Sequence, residues 1–151
     1  MRRLSTFKER RGTTSVEFAV SAPIAFFLIF ATIIGALGTF RYQQVATLAR
    51  EATRWASVHG SQYEEETGNP AATAADVYTN AIEPRLVGLR PHNLSCDVTW
   101  NRNNMPLSVR SDYSNPVGNT VTVKVTYEWF PEVFLVGPIS LTSTSTAQMA
   151  Y

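Results

Sequence analysis

The residues whose chemistry stands out lie in one short segment near the N-terminus. Two arginines and Gly12 precede the sequence Thr-Thr-Ser-Val-Glu-Phe, in which Glu17 is the last charged residue before Arg41. Gly12 has no side chain, so its backbone can enter the cleft of a protease in an extended form. Cleavage after Gly12 would give Thr13 a free amine and would leave Glu17 as the fifth residue of the shortened chain. The segment therefore predicts a proteolytic processing site.

Two roles for Glu17 are compatible with its position. An acid near a helix N-terminus is favoured by the helix dipole, by about 0.3–1 kcal/mol when exposed, and Thr14 and Glu17 fit the capping-box pattern. Near lipid, a buried carboxylate requires a cation. The free amine of Thr13 in a neighbouring copy or pilin would supply one. The local cap explains the acid but not the basic leader before it, so both roles stay open.

The segment after Glu17 has the length and composition of a membrane span. Residues 18–40 form an uncharged run of 23 residues, long enough to cross the hydrocarbon layer as one helix. The run includes five Phe, four Ile, two Leu and one Val, which contribute about −4 to −7 kcal/mol towards insertion. Basic residues favour the cytoplasmic side of a span, and the leader 1–12 has five basic residues against one acidic residue. We therefore expect a cytoplasmic N-terminus, with residues 41–151 outside the cytoplasm.

A secretory signal peptide is the main alternative for this segment. It also has a basic start and an apolar stretch, although its core is usually shorter, at about 7–15 residues. A small-x-small cleavage site is present only at 36–38, so cleavage would fall near Gly38. The product would be a secreted or periplasmic binding module, in which Trp100, Trp129 and Tyr113 could contact carbohydrate.

Composition argues against several other functions. The net charge is +1, of which the leader contributes +4 (five basic minus one acidic), so residues 13–151 carry −3 and no nucleic-acid partner is expected. Cys96 is the only cysteine, which precludes an intramolecular disulfide, and His59 and His92 have no metal-ligand spacing around them. We expect Cys96 to pack in a strand and both histidines to be solvated. No nucleophile or phosphate-loop motif occurs, so we predict no enzymatic activity, catalytic residue, metal, cofactor or small-molecule substrate.

Hydrophobic periodicity predicts a small α+β domain after the span. The helix is expected to continue over 41–59, because apolar residues recur at helical spacing: Tyr42, Val45, Ala46, Ala49, Ala52, Trp55 and Ala56. An acidic loop is predicted at 61–68, and a second helix over 70–83 with Pro70 at its first position. Period-2 alternation predicts strands at 94–100, 120–130 and 139–149, forming an antiparallel sheet with one wet face. Residues 101–119 would form a long loop, and 130–138 an apolar connector near the membrane or the long helix.

Small residues recur every four positions in the span, at Ala31, Gly35 and Thr39. Stripes of this kind allow membrane helices to approach closely. We therefore interpret these three residues as a candidate helix-packing surface, although such spacing also occurs by chance in apolar segments.

Taken together, the Gly12–Phe18 motif, the apolar span and the Ala-Arg-Glu-Ala-Thr-Arg sequence at 49–54 resemble the TadE-like pseudopilins, or minor pilins, of the bacterial tight-adherence (Tad, or Flp) pilus. The resemblance implies a type IV pilin-like α+β fold, with a long transmembrane-to-extracytoplasmic helix and a second short helix on a three-stranded antiparallel sheet. It implies a leader at 1–12, a transmembrane helix at 13–40 and an extracytoplasmic domain at 41–151.

The same resemblance implies the site and its partners. A prepilin peptidase would cut between Gly12 and Thr13 and would recognise Glu17 and Phe18. The chain would sit in the bacterial inner membrane, with the lipid bilayer, other pilins or pseudopilins and the pilus assembly platform as partners. Whether it enters the fibre or stays in the membrane is left open by the sequence.

Overall fold

The computed structural model describes residues 10–101, 104, 119–131 and 137–150, with side chains from Thr14 onward. The chain divides into two compact units, Met1–Leu37 and Gly38–Tyr151. Most of the predicted loop 101–119 and residues 132–136 of the predicted connector lie outside the described residues. The architecture is α+β, as predicted, with a long apolar N-terminal helix, short helices and a three-stranded antiparallel sheet.

Helix α1 spans Arg10–Ser57 and supplies the described part of the first unit. Pro23 lies inside it, where its missing N–H leaves the carbonyl of Ala19 without its helical partner. The helix continues past residue 41, as predicted, and ends two residues before the predicted end at His59.

The part of α1 in the second unit buries one face. The face is made of small and aliphatic side chains with a repeat of three and four residues, together with Thr53: Val45, Leu48, Ala49, Ala52, Thr53 and Ala56. The prediction that Tyr42 lies on this face is wrong, because its side chain is 46% exposed. The buried face instead includes Leu48 and Thr53, both less than 4% exposed.

Two short helices follow, and both differ from the prediction. Helix α2 spans Ser61–Thr67, where a loop was predicted. Its Glu-rich sequence has good helix propensity, and Gly68 ends it in a left-handed conformation with φ 73°. Helix α3 spans Ala74–Val77 and continues through a wider turn, Tyr78–Ile82, and a tighter one, Glu83–Arg85.

The start of α3 is set by a capping box and not by Pro70. Thr73 accepts a hydrogen bond from the backbone N–H of Asp76, and the Asp76 carboxylate accepts one from the backbone N–H of Thr73 at 2.9 Å. This reciprocal pair satisfies two backbone donors that a helix start otherwise leaves unpaired. Of the apolar residues at helical spacing in α3 and the turn after it, Val77, Ala81 and Ile82 are fully buried, Tyr78 is half-buried, and Ala74 is exposed.

The sheet consists of β1 (Leu94–Trp100), β2 (Thr120–Trp129) and β3 (Ile139–Gln148) in the order β1-β2-β3, with both pairs antiparallel. The strands occur where the alternation predicts them, and β2 and β3 each end one residue earlier. One face is apolar and centred on β2, whose inward residues are all less than 7% exposed: Val121, Val123, Val125, Tyr127 and Trp129. The other face is rich in hydroxyls, and Thr122 and Thr146 hydrogen-bond across it at 2.9 Å.

Helix α1 meets the sheet through small side chains. Oγ1 of Thr53 lies 2.7 Å from the carbonyl oxygen of Ala49 and 3.2 Å from that of Ser145 on β3. Just after β3, the N–H of Ala150 donates to the carbonyl of Ser57 at 2.9 Å. These contacts place the second part of α1 against the sheet as one wall of the core.

Candidate processing site and anchoring helix

The proposed scissile bond lies in helical backbone. Because α1 begins at Arg10, Gly12 and Thr13 fall in its first turn. The prediction of a capping box starting at Thr14 is therefore wrong for the uncut chain, since Thr14 lies inside the helix. The cleavage itself, for which Gly12 would have to become extended in the protease, stays a prediction. Glycine destabilises a helix by about 1 kcal/mol relative to alanine. This turn can accordingly open for a protease more easily than one without glycine.

Glu17 and Phe18 project from the helix surface. Glu17 is exposed and Phe18 is 70% exposed. The backbone carbonyl of Glu17 accepts a hydrogen bond from Oγ of Ser21 at 2.8 Å. Glu17 has no cationic partner among the side chains that the structure describes. The ion pair seen among them joins Arg85 to Glu51, with 4.0 Å between Nη2 and Oε2. Glu17 and Phe18 are thus accessible to another protein, and their role in recognition stays a prediction.

The apolar stretch of α1 is exposed on all sides. Consecutive large side chains from Phe26 to Phe30 are each 52–69% exposed, so no single face is covered. A helix that is apolar all round requires an apolar environment. Within the described residues α1 is the one helix long and apolar enough to cross a membrane, and none of its most apolar window is buried. The helix therefore suggests membrane anchoring.

The small-residue stripe lies on this exposed part. Ala31, Gly35 and Thr39 are all exposed, and a Cβ built at Gly35 would meet no atom within 4 Å. The stripe could accept a closely packed partner helix. Its function in packing stays a prediction.

Gly38 is a residue whose role sequence reasoning missed. A Cβ built on it would lie 2.8 Å from Cζ3 of Trp129, so the indole packs directly on the helix backbone. Trp129 is consequently only 6% exposed. Two features of the sequence could have indicated this contact: the repeat of small residues in the helix and the aromatic pair at the end of β2. Nothing in the sequence shows that these two features meet.

The other predicted residues have mixed outcomes. Cys96 packs in β1 as predicted, and burial, followed by the nearby charge of Asp97, raises the pKa of its thiol to about 11. His59 is not fully solvated. Its ring stacks on that of Trp55, with 4.0 Å between the ring centroids, and lies near the ring of Tyr63, with 4.9 Å between the centroids. His92 is exposed. The described residues contain no group of three or more His, Cys, Asp or Glu side chains that could hold a metal ion.

Comparison with known proteins finds a family model that matches the first part of this chain. Residues 12–54 match the family model described as TadE-like protein, a segment covering less than a third of the 151-residue chain. The search of curated proteins and the search of solved structures each returned no match. The matched segment begins at Gly12 and includes the exposed apolar helix, and TadE-like proteins are linked to the Tad pilus. The resemblance seen in the sequence is therefore confirmed as a similarity to TadE-like proteins over residues 12–54.

Proposed function

We propose that this chain is a membrane-anchored pseudopilin or minor pilin. In this proposal a prepilin peptidase removes residues 1–12, and the chain then takes part in assembling a Tad/Flp-type pilus or a related secretion machinery. Its function is structural, and the peptidase and the assembly machinery supply the chemistry.

One observation carries the proposal. The family match begins at Gly12, immediately before the proposed scissile bond, and ends at Arg54, near the end of α1. The basic leader lies almost entirely outside the match, while Glu17, Phe18 and the exposed apolar stretch lie inside it. A removable leader followed by a retained helix would divide the sequence at this position.

The physical role of Glu17 follows from processing. After cleavage, the carboxylate lies about one helical turn from the new amine of Thr13, at the edge of the apolar run. A carboxylate close to lipid is stabilised by a cation. The amine of a neighbouring pilin can provide it, so Glu17 would set the register in which a new subunit joins the others.

The basic leader supports an orientation with the N-terminus in the cytoplasm. The chain would then cross the bacterial inner membrane once, within 13–40, and residues 41–151 would lie in the periplasm or outside the cell. Its partners would be the bilayer, the prepilin peptidase, other pilins and the assembly platform, in a system that serves adhesion.

The alternative of a secreted binding module has no specific observation in its favour. Gly38, near which signal peptidase would cut, lies within the unbroken helix α1 and against Trp129. Of the aromatic residues suggested for carbohydrate binding, Trp129 is buried, Trp100 is half-buried and Tyr113 lies outside the described residues.

The test is to determine the N-terminus of the full-length chain in membranes of a host with an active prepilin peptidase and in the same host without it. Intact-mass spectrometry should find the chain starting at Thr13 in the first case and at Met1 in the second. Gly12→Val should accumulate the uncut form, whereas Gly35→Val, a matched change outside the motif, should be processed. A membrane-bound chain that keeps Met1 beside an active peptidase would contradict the proposal, as would a soluble chain starting near Thr39.

A further inference from the structure

The end of the sheet next to Gly38 forms an open pocket of about 200 Å³. Its walls come from Arg41 on α1, the loop at Gly88 and Arg90, and three aromatic residues at the end of β2: Tyr127, Trp129 and Phe130. We call it the Arg41–Arg90 pocket. None of its lining residues among those that the structure describes is a carboxylate, so the wall described around its two cations is neutral and partly aromatic.

Arg41 is held in place by the loop opposite. Its Nη1 donates to the carbonyl oxygen of Gly88 and to Oε1 of Gln44. Gly88 has φ 74°, a conformation that favours glycine, and a Cβ there would lie 3.2 Å from Nη1 of Arg41. Gln44 also donates to the carbonyl of Val87 at 3.0 Å. The acceptors that hold the guanidinium are thus neutral, and they do not compensate its positive charge.

The charges of the pocket have no anionic partner within the described residues. Nε and Nη2 of Arg41 have no acceptor there, and the exposed side chain of Arg90 makes no hydrogen bond or ion pair. Arginine donors in a planar fork match the oxygens of a phosphate group. The chemistry of the pocket therefore favours a phosphate-bearing anion.

The position of the pocket indicates where that phosphate comes from. Trp129 lines the pocket and packs on Gly38, a residue of the uncharged run 18–40, and Arg41 is the first charge after that run. Only three residues, about 4.5 Å of helix rise, separate Gly38 from Arg41. Phe130 and Val87 beside the pocket are 54% and 76% exposed. Exposed apolar and aromatic residues next to cations, at the point where a span ends, are typical of a membrane interface.

We propose that the Arg41–Arg90 pocket binds the phosphate of a phospholipid headgroup in the outer leaflet of the anchoring membrane. Phe130 and Val87 contact the acyl boundary, while the two guanidinium groups hold the phosphate. An anionic headgroup such as phosphatidylglycerol binds better than a zwitterionic one, because it brings no ammonium group towards the arginines. The inference rests on the membrane anchoring in the proposed function, but not on processing at Gly12.

The test uses the full chain in dodecyl maltoside micelles with added phosphatidylglycerol, and native mass spectrometry counts the lipid that each chain retains. One retained lipid is expected for the unaltered chain. Arg90→Gln should lower the lipid-bound fraction about fivefold, the effect expected for one arginine near an anionic membrane surface. Arg54→Gln, which removes an exposed arginine elsewhere on α1, should leave it unchanged. Arg90 is the primary variant because its side chain makes no contact needed for folding, and Arg41→Gln with a circular dichroism check is the second.

Equal retention by Arg90→Gln and Arg54→Gln would overturn the proposal. Displacement of the lipid by millimolar inorganic phosphate would also overturn it, because the pocket would then be a site for a soluble anion. The same spectra give the mass, and hence the N-terminus, of each chain. A chain starting near Thr39 would refute the proposed function, and this outcome is distinct from loss of the lipid site.

Discussion

The indole of Trp129 lies directly on the backbone of Gly38, so closely that a Cβ at residue 38 would fall 2.8 Å from Cζ3 of the ring. Trp129 is buried at the end of β2, opposite Ile139 in the register with β3. The contact fixes one end of the sheet to the helix. Glycine at this position is therefore explained by close approach and not by flexibility.

Gly38→Ala is expected to destabilise the second unit by about 1–3 kcal/mol, as for other overpacked sites. The gain in helix propensity, about 1 kcal/mol, offsets part of this cost. Thermal unfolding of the full chain in detergent measures the effect. Gly35→Ala is the matched control, because its added methyl group meets no atom within 4 Å. Equal stabilisation by both changes would show that the indole moves aside freely.

Glu17→Gln is expected to impair assembly without affecting folding. The side chain is exposed and has no cationic partner among the described residues, so the free energy of unfolding should change by less than about 0.5 kcal/mol. Loss of the charge should abolish co-purification with the other pilins after cross-linking in membranes. Ser21→Ala removes only the hydrogen bonds from Oγ to the backbone carbonyls of Glu17 and Phe18 and should assemble normally. Normal co-purification of the glutamine variant would contradict the proposed pairing of Glu17 with an amine.

The thiol of Cys96 should react slowly in the folded chain. Burial raises its pKa from 9.0 to about 11, so the thiolate fraction near pH 8 should be about a hundredfold lower than for an unperturbed thiol. Labelling with a thiol reagent, with and without denaturant, measures the difference. In the double variant Ser95→Cys, Cys96→Ser the thiol moves to the exposed neighbouring position and should react rapidly. Fast labelling of folded native Cys96 would contradict its burial.

The capping box of α3 should make folding sensitive to acid. Hydrogen bonds from the side chain and then the backbone of Thr73 lower the pKa of Asp76 below its usual 3.8. A lowered carboxyl pKa contributes stability that is present above the unfolded value and is lost as the pH falls through the folded one. The midpoint temperature of unfolding should therefore decrease as the pH is lowered below about 4. Thr73→Ala should make this decrease smaller. Since other carboxylates also titrate there, the difference between the two chains is the quantity to compare.

Sequence periodicity located the sheet because each strand buries only one face. Alternate residues such as Val121, Val123 and Val125 must all point to the core, so apolar residues occur at every second position of the strand. This alternation can be recognised in the sequence without any knowledge of the tertiary structure. The same argument identified Ala49, Ala52 and Ala56 on α1. It failed at Tyr42, which is 46% exposed although Gly38 before it packs against Trp129 and Val45 after it is fully buried. Helix α2 was missed because its charge was interpreted as a loop signal, although glutamate is a good helix former.

The candidate site was only partly accessible from sequence. The glycine, glutamate and apolar run are contiguous, so Gly12, Thr13, Glu17 and Phe18 could be proposed without a fold. Arg41 and Arg90 are 49 positions apart and line one pocket only because the glycine turn at residue 88 faces α1. The stacking of His59 on Trp55 likewise depends on where α1 ends.

Helix α1 has consequences for any water-soluble version of this protein. From Val45 to Ala56 it is a wall of the core as well as an extension of the anchor. Deleting the whole helix as if it were only a membrane segment would uncover the three central valines of β2, and such a fragment should precipitate. A truncation intended to yield soluble material has to begin before Gly38, so that the indole of Trp129 keeps the backbone on which it rests.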